Sequence, residues 1–276
     1  MGGEAGRGRT EPPAPGAPGR PHGPRDPGDA WVVTDSGEKF WGVYGAAGLL
    51  AVDPQRGVLL QHRVGWSHFG GTWSIPGGAR HKGETGLEGA LRESGEEAGV
   101  PRDAVRPRCL SVLDRKVWSY LTVLADVVRP FEPRISDAES LELRWVPLDD
   151  VAGFDLHPGF KRSWPAMRQL LQIRPVLVVD CSSVTDPGLV DAVEQRGGGA
   201  AQLGLPGTAW CPEGVRVGDR REAVARALSL AETSPYVTMV GDDEVFTGEL
   251  VGAGARVRTG DWLAEIVAER EAGTGI

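Results

Sequence analysis

Apolar positions recur along the chain in two patterns, which divide it into predicted strands, helices and loops. Short apolar runs bounded by glycine or charged residues are typical of strands, and apolar residues that recur every three or four positions are typical of helices. The strand pattern between residues 42 and 146 predicts Gly42–Val52, Gly57–Arg63, Gly71–Ile75, Cys109–Asp114, Trp118–Val128 and Leu141–Val146. The helical pattern predicts a helix over Gly159–Gln172.

A second helix, between the third and fourth of these strands, has well-marked ends. Thr85 followed by Glu88 is the signature of a capping box, so the helix is predicted to begin there. Gly99 suits a left-handed C-terminal cap, so the helix is predicted to end next to it.

The two sides of this helix differ in chemistry. At about 100° per residue, one side is predicted to pack against the rest of the protein. Its residues are Leu87, Leu91, Ser94 and Ala98. Glu93, Glu96 and Glu97 cluster on the other side. Carboxylates at this spacing repel one another, and a divalent cation would turn that repulsion into coordination. The alternative is an ordinary solvated helical face.

Residues Gly78–Val100 read GARHKGETGLEGALRESGEEAGV and resemble the signature box of Nudix hydrolases, which cut nucleoside diphosphates linked to another group. The positions that match the box are Gly78, Glu84, Arg92, Glu93, Glu96, Glu97, Gly99 and Val100. Ser94 departs from the pattern, because the family prefers an aliphatic residue there.

The resemblance implies an α/β fold, an α/β/α sandwich around a mixed sheet, over residues 31–173. It also implies a site for Mg²⁺, or Mn²⁺, formed by Glu93, Glu96 and Glu97, with the backbone carbonyl of Gly78 as a further ligand. Arg92 is implied to orient the box glutamates, notably Glu84 or Glu93.

Residues outside the box are further candidates for the site. Arg63 could pair with a phosphate and Trp66 could stack on a base, although both also suit an ordinary surface or core. Gly77 would allow a close backbone approach to substrate, or it belongs to a simple Pro-Gly-Gly turn. Family resemblance suggests a catalytic acid near Ile135–Glu142, for which Glu139 is the first choice and Glu142 the second.

Composition bounds the possible partners and compartment. The formal net charge of −8 argues against a nonspecific grip on nucleic acid polymer. Cys109, Cys181 and Cys211 have spacings that suggest neither a disulfide framework nor a zinc site. Without an apolar run of membrane-spanning length or a signal-peptide core, a cytoplasmic protein is expected. A homodimer is possible by family resemblance.

Residues 1–28 are rich in Gly, Pro, Arg and Ala, which predicts a disordered tail. Residues 175–276 are predicted to form a smaller α/β module with a mainly parallel sheet. Its apolar runs Val176–Asp180 and Tyr236–Asp243 both end in acids, as do parallel strands that border a ligand crevice.

Asp180, Asp242 and Asp243 are therefore expected to meet at one edge of that sheet. The module weakly resembles PIN-like nuclease domains, which gather acids around a metal. The residues Val-Gly-Asp-Asp are similar to a motif of haloacid-dehalogenase phosphatases, but Asp180-Cys181-Ser182 lacks that family's Asp-x-Asp. A catalytically silent module is the alternative.

The main hypothesis is Mg²⁺-dependent hydrolysis of a small nucleotide, in which water attacks phosphorus. The competing hypotheses are a nucleotide sensor and a protein with a second, C-terminal nuclease activity. Nucleoside triphosphates, ADP-ribose, nucleotide sugars and dinucleoside polyphosphates all remain open as substrates.

Overall fold

A computed structural model describes residues 8–13, 26–184, 186–196, 208–210, 213–232, 234, 236–241 and 247–271. The chain divides into two compact units. The first is built mainly from residues up to Arg168, and the second contains Pro107–Cys109 and the chain from Gln169 onward.

The strands up to residue 146 are β1 Arg9–Glu11, β2 Trp31–Val33, β3 Lys39–Trp41, β4 Ala46–Asp53, β5 Gly57–Arg63, β6 Trp73–Ser74, β7 Gly77–Ala79, β8 Val105–Asp114, β9 Ser119–Val127 and β10 Ser140–Val146. The helices up to residue 170 are α1 Gly86–Ala98 and α2 Pro158–Leu170, with 3₁₀ turns at Arg102–Ala104 and Val151–Gly153. Of these elements, β1, β2, β3, β7 and the two 3₁₀ turns were not predicted from the sequence.

The main sheet of the first unit has the order β10-β5-β4-β9-β8, with β6 beside β5 and β7 beside β4. β4 pairs antiparallel with β5 and β7 but parallel with β9, in a register that runs from Ala46 opposite Tyr120 to Val52 opposite Asp126. The predicted mixed sheet is therefore confirmed. α1 packs on β4, β7 and β9.

Every residue of β4 is buried, which places this strand at the centre of the core. Leu49 and Leu50 of β4 and Leu59 and Leu60 of β5 are fully enclosed. The turn between the two strands depends on Gly57, which has a φ of +93° and lies so close to β10 that a Cβ would stand 2.0 Å from the Val146 carbonyl oxygen.

A small antiparallel sheet of β1, β2 and β3 precedes the main sheet. Arg9 lies opposite Val33, and Lys39 Nζ forms a 2.7 Å ion pair with Glu11. The structure thus differs from the disordered tail expected over residues 1–28, because Arg9–Glu11 form a strand. Hydrogen bonding to a partner more than twenty residues away orders this polar segment.

The predicted ends of α1 are confirmed, and its predicted packing side is confirmed in part, since Ser94 and Ala98 are fully buried. Thr85 and Glu88 form both bonds of the capping box, and Gly99 caps the C-terminus with a φ of 63°. Glu93 and Glu97 lie on the buried side together with Ala90, whereas Leu87 and Leu91 are only half-buried. The helix approaches the sheet through glycine and alanine, which leaves space for the carboxylates beneath it.

The second unit contains β11 Val176–Asp180, α3 Pro187–Arg196, β12 Thr208–Trp210, β13 Glu213–Val217, α4 Arg220–Ala231, β14 Val237–Val240, α5 Thr247–Gly252, β15 Arg256–Arg258 and α6 Gly260–Glu271. The order β13-β11-β14-β15 is parallel throughout, as predicted. Alternate residues of β11 pack on opposite faces: Val178 joins a core with α4, and Leu177 and Val179 join a core with Leu263 of α6.

Among the residues described, none of the helices is both long and apolar enough to cross a membrane.

Candidate active site

The first unit encloses a cavity of about 1230 Å³. The box glutamates and the nearby acids line one part of it, namely Glu93, Glu96, Glu97, Asp137 and Glu139, and the acidic Asp26, Asp29 and Glu38 also line it. Aromatic side chains line another part: Trp31, Phe40, Trp41, Trp66, Phe69, Trp118 and Tyr120. The cavity therefore combines a region that can hold cations and phosphates with a region suited to an apolar or aromatic group.

Glu93 and Glu97 project from α1 into this cavity although both residues are buried, with 7% and 4% of their surface exposed. Glu97 Oε2 accepts a 2.8 Å hydrogen bond from the backbone N–H of Gly77. Glu96 lies at the same wall with its side chain 35% exposed. The structure thus brings the three box glutamates to one cavity.

The electrostatic environment of Glu97 disfavours its charge. Burial, and then the charge of Glu93, raise the pKa of the Glu97 carboxyl well above its usual value. Glu139 and Asp137 add to this effect, and Arg63 opposes it. Negative charge therefore exceeds positive charge around Glu97.

Arg92 holds the glutamates in place. Its Nε and Nη2 donate to Glu84 at 2.8 and 2.9 Å, and its Nη1 donates to Glu93 at 2.7 Å and to Glu96 at 3.2 Å. Nη2 also donates to the Ala79 carbonyl oxygen. Burial alone would lower the pKa of Arg92, but the hydrogen bonds to Glu84 and the charge of Glu93 raise it. Arg92 is thus a positioning residue in this geometry.

The two glycines of β7 lie against these carboxylates. A Cβ on Gly78 would stand 2.7 Å from Glu93 Cδ, and a Cβ on Gly77 would stand 2.5 Å from the Ala47 carbonyl oxygen. Glycine at 78 lets the backbone lie directly against the Glu93 carboxylate, and glycine at 77 lets β7 lie directly against β4.

Gly78→Ala is expected to impair catalysis more than folding. The new methyl group would displace the Glu93 carboxylate, which is the mobile end of a side chain, while φ at Gly78 lies in a region open to alanine. Displacement of a catalytic group by about 1 Å can cost on the order of 10²-fold in rate. Steady-state kinetics and thermal melting would measure both effects.

Gly95→Ala is the matched control, because a Cβ there meets only the Val100 carbonyl oxygen at 3.6 Å. This variant should keep wild-type turnover and a helix at least as stable. Wild-type kcat in Gly78→Ala would show that the position of Glu93 does not matter for activity.

The residues present fit a hard divalent cation such as Mg²⁺. The donors are all oxygens, namely the carboxylates of Glu93, Glu96 and Glu97 and the carbonyl of Gly78. The excess negative charge that raises the Glu97 pKa is what a cation would neutralise. Within the described residues, no group of three His, Cys, Asp or Glu side chains is arranged so that it could hold a metal ion by itself. Mg²⁺ commonly keeps several waters and binds few carboxylates, so an open donor set suits it.

Arg63 and Trp66 both line the cavity. The charge of Arg63 lowers the pKa of Glu97, and its Nε is buried without a hydrogen-bond partner among the described residues. Trp66 is 52% exposed, so its indole stands at the rim. Arg63 is therefore placed to meet an anion, and Trp66 is placed to contact only the outer part of a ligand.

Of the two acids weighed as a further catalytic group, Glu139 reaches the cavity. Its charge acts on Glu97, and its carbonyl accepts a hydrogen bond from Val64 N–H. Glu142 lies on β10, where it bonds to Arg144 with its side chain 43% exposed. Asp137 also lines the cavity, although no local pattern favoured it within Ile135–Glu142.

Tyr120 is a cavity residue that sequence reasoning missed. Its hydroxyl lies in a slot left by two glycines, because a Cβ on Gly48 would stand 2.2 Å and one on Gly77 3.0 Å from it. Burial and the charge of Glu97 raise its pKa, so the phenol stays protonated. The parallel pairing of β4 with β9 brings Tyr120 here, and that long-range pairing is not visible in the local pattern.

His157 is a second cavity residue that was missed. It packs against Phe69 with ring centroids 4.9 Å apart, and its Nδ1 accepts a hydrogen bond from Gly159 N–H. Burial, and then the charges of Arg63 and His68, lower the pKa of His157 to about 4. The imidazole is therefore neutral at physiological pH.

This lowered pKa predicts a loss of stability in acid. As pH falls below about 6.5, unfolded His157 binds a proton that the folded protein does not bind until about pH 4, so the free energy of unfolding decreases across that interval. Because the side chain is partly exposed, we expect a contribution of about 2 kcal/mol at most. Urea unfolding at several pH values would measure it.

His157→Asn is the comparison for that experiment, since its amide oxygen can still accept the hydrogen bond from Gly159. The variant should lose less stability than the wild type between neutral pH and about pH 4.5. Equal losses in the two proteins would contradict the assignment.

In the second unit, neighbouring residues hydrogen-bond to the Asp180 carboxylate. It is fully buried and accepts hydrogen bonds from Ser182 N–H, Ser183 Oγ and Arg220 Nε at 2.9, 3.1 and 3.2 Å. Burial works against its ionisation, but the bonds from Ser182 and Arg220 hold its pKa below the usual range. Asp242 and Asp243 lie outside the described residues, so a metal site at this edge stays a prediction.

Comparisons with known proteins agree with the geometry of the first unit. Residues 44–170 match the family model described as "NUDIX domain". The Mycobacterium tuberculosis protein "Putative 8-oxo-dGTP diphosphatase 3" is 48% identical over 151 residues, which cover 51% of this chain and 69% of that protein. The Bifidobacterium longum "Nucleoside triphosphate pyrophosphatase/Nudix hydrolase fusion protein" is 44% identical over 147 residues, which cover 50% of this chain and 30% of that protein.

A solved structure is also similar. The crystal structure of a Nudix hydrolase from M. smegmatis, RenU, is 43% identical, with a TM-score of 0.49, and covers 52% of this chain and 96% of that chain. Nudix hydrolases generally use a divalent metal, typically Mg²⁺. With a mycobacterial relative at 48% identity and a matching domain around the box, the chain belongs to the Nudix hydrolases, a family of pyrophosphohydrolases.

Proposed function

We propose that the protein hydrolyses a nucleoside diphosphate linked to another group, with a nucleoside triphosphate as the first substrate to test, in a reaction that depends on Mg²⁺. The observation that carries this proposal is the meeting of Glu93, Glu97, Glu139 and Arg63 on one cavity beside Gly78. Because the mycobacterial relative is named a putative 8-oxo-dGTP diphosphatase, we include 8-oxo-dGTP among the first compounds to test. Glu96 completes the proposed cation site.

Bound Mg²⁺ would neutralise phosphate charge and make a water more acidic. Glu93, Glu96 and Glu97, with the Gly78 carbonyl, would hold the cation, and Arg92 fixes the direction of Glu93 and Glu96. Arg63 brings a guanidinium to the phosphates, for which its planar geometry is suited. These groups act on charge that increases in the transition state.

The attacking water forms a bond to phosphorus as the bridging phosphorus–oxygen bond breaks, and the displaced phosphate takes the electron pair. Glu97 or Glu139 accepts the proton of that water, since both carboxylates line the cavity. The protonated Tyr120 hydroxyl, beside Gly77, supplies a donor at the same place.

Product release from a panel of nucleotides tests the proposal. The panel contains 8-oxo-dGTP, dGTP, ADP-ribose, a nucleotide sugar and a dinucleoside polyphosphate, each with Mg²⁺ and with EDTA. Turnover of at least one compound that EDTA abolishes is expected. Turnover unaffected by EDTA would contradict a metal-dependent reaction, and tight binding without turnover would indicate the nucleotide sensor instead.

A further inference from the structure

The aromatic part of the cavity comes largely from a segment outside the matched domain. The family match begins at residue 44, whereas β2 and β3 end at Trp41. Trp31 of β2 and Phe40 and Trp41 of β3 nevertheless line the same cavity as the catalytic glutamates. The segment that precedes the matched domain is therefore part of the site.

Trp31, Phe40, Trp41 and Trp118 together form what is here named the aromatic wall. Phe40 stacks on Trp118 with centroids 4.7 Å apart and ring planes 15° apart, and Trp31 meets Trp41 edge-on at 5.0 Å. Trp118 Nε1 donates a 3.0 Å hydrogen bond to the Trp41 carbonyl oxygen, which ties β3 to the start of β9. The two ring pairs are thus joined through the backbone of β3.

The wall keeps aromatic surface accessible to the cavity. All four side chains are half-buried, unlike the fully enclosed leucines of β4 and β5. Aromatic surface that remains exposed inside a cavity, next to a few charged groups, is typical of a ligand site. An aromatic or apolar part of a ligand is therefore the expected occupant.

The wall also leads to the acidic part of the cavity. Trp118 lies 6.1 Å from Tyr120, between ring centroids, and the Tyr120 hydroxyl adjoins Gly77, whose N–H binds Glu97. On the other side Trp31 lies 5.1 Å from His68, on which the charge of Arg63 acts. A ligand with phosphates at the glutamates and Arg63 would extend its other end along the wall.

We propose that the aromatic wall stacks the purine base of the nucleotide whose phosphates bind at Glu93 and Glu97, which makes residues 26–41 part of the substrate site. This inference rests on the proposed function. Three of the four rings are indoles, and a two-ring purine overlaps an indole more fully than a one-ring pyrimidine does. The β1–Lys39 contacts described above hold the hairpin that carries the wall.

The test compares Trp31→Leu and Trp41→Leu with Trp145→Leu in the full-length protein. Trp145 is a matched control because it is also half-buried, but it packs on Phe131 and Arg56 and does not line the cavity. Calorimetric titration with Mg²⁺, in proteins that also carry Glu97→Gln to prevent turnover, gives dissociation constants for dGTP, dCTP and inorganic triphosphate.

We expect the wall variants to raise Kd for dGTP by about tenfold or more, to raise Kd for dCTP less, and to leave Kd for inorganic triphosphate unchanged. Trp145→Leu should bind all three ligands with the same Kd as the protein that carries Glu97→Gln alone. Unchanged dGTP binding, or an equal loss for inorganic triphosphate, would overturn the proposal.

Tryptophan fluorescence tests stacking even if a wall variant fails to fold, because it uses a protein in which the wall is unchanged. Stacking predicts that dGTP changes the emission more than inorganic triphosphate does, and an equal change with both would contradict stacking. The proposed function and the wall inference fail in different ways. Purine binding that depends on the wall, without turnover of any nucleotide, would contradict the proposed hydrolysis and support the role of the wall. Full turnover of purine nucleotides by the wall variants, with unchanged KM, would overturn the wall inference alone.

Discussion

Glu97→Gln is expected to lower kcat by roughly 10²- to 10⁴-fold without unfolding the protein. The amide keeps an oxygen that can accept the hydrogen bond from Gly77 N–H, but it cannot hold a cation as a carboxylate does or take a proton from water. Since burial and neighbouring acids disfavour the Glu97 charge, its removal should leave the free energy of unfolding unchanged or raise it. Steady-state kinetics and urea unfolding would measure the two quantities.

Glu142→Gln is the matched control, because Glu142 pairs with Arg144 at the surface. It should retain wild-type turnover. Glu139→Gln tests the second candidate acid. A decrease in kcat as large as that in Glu97→Gln would support Glu139 as proton acceptor or cation ligand. Wild-type-like turnover in Glu97→Gln would count against the whole assignment of the active site.

Arg92→Ala is expected to lower the free energy of unfolding by about 3 kcal/mol and to abolish most activity. Arg92 is the shared partner of Glu84, Glu93 and Glu96, so its loss leaves two largely buried carboxylates without the cation that compensates them. Arg92→Lys should recover only part of the stability, since one ammonium group cannot reproduce the paired bonds to Glu84. Chemical denaturation and kinetics of both variants would measure these effects.

Arg129→Ala serves as the control for charge removal alone. Arg129 pairs with Asp103 at the surface, where both side chains are more than half exposed, so the expected change in stability is within about 0.5 kcal/mol. If Arg92→Ala were as mild as this control, the network around Arg92 would not be what holds the acids in place.

Local signals in the sequence were enough to predict the ends of α1, because Thr85, Glu88 and Gly99 act within a few residues of where they stand. The direction in which α1 faces could be predicted only in part from its own pattern, which placed the buried Ser94 and Ala98 correctly. Leu87 and Leu91 are the most apolar residues of the helix, yet the sheet accepts the side that carries Ala90 and leaves the glutamates beneath it. Close packing of small residues outweighed hydrophobicity at this interface.

The rest of the cavity depends on pairings between distant parts of the chain. Tyr120 reaches the glutamates only through the β4–β9 register, and Trp31 and Trp41 reach the cavity only through the small sheet. Neither pairing leaves a local trace in the sequence. Asp180 ends a parallel strand as expected, and neighbouring hydroxyl groups and Arg220 engage its carboxylate through contacts that the strand pattern does not predict.

The parallel pairing of β4 with β9 has a consequence for the order in which the protein folds. The whole Nudix box lies in the loop that this pairing closes, between Ala46 and its partner Tyr120. Closing a loop of that length costs chain entropy before its contacts repay the cost, so parallel pairs of distant strands form slowly. During synthesis, α1 can form as soon as its residues emerge, but the cavity beneath it can assemble only after β9 has been made.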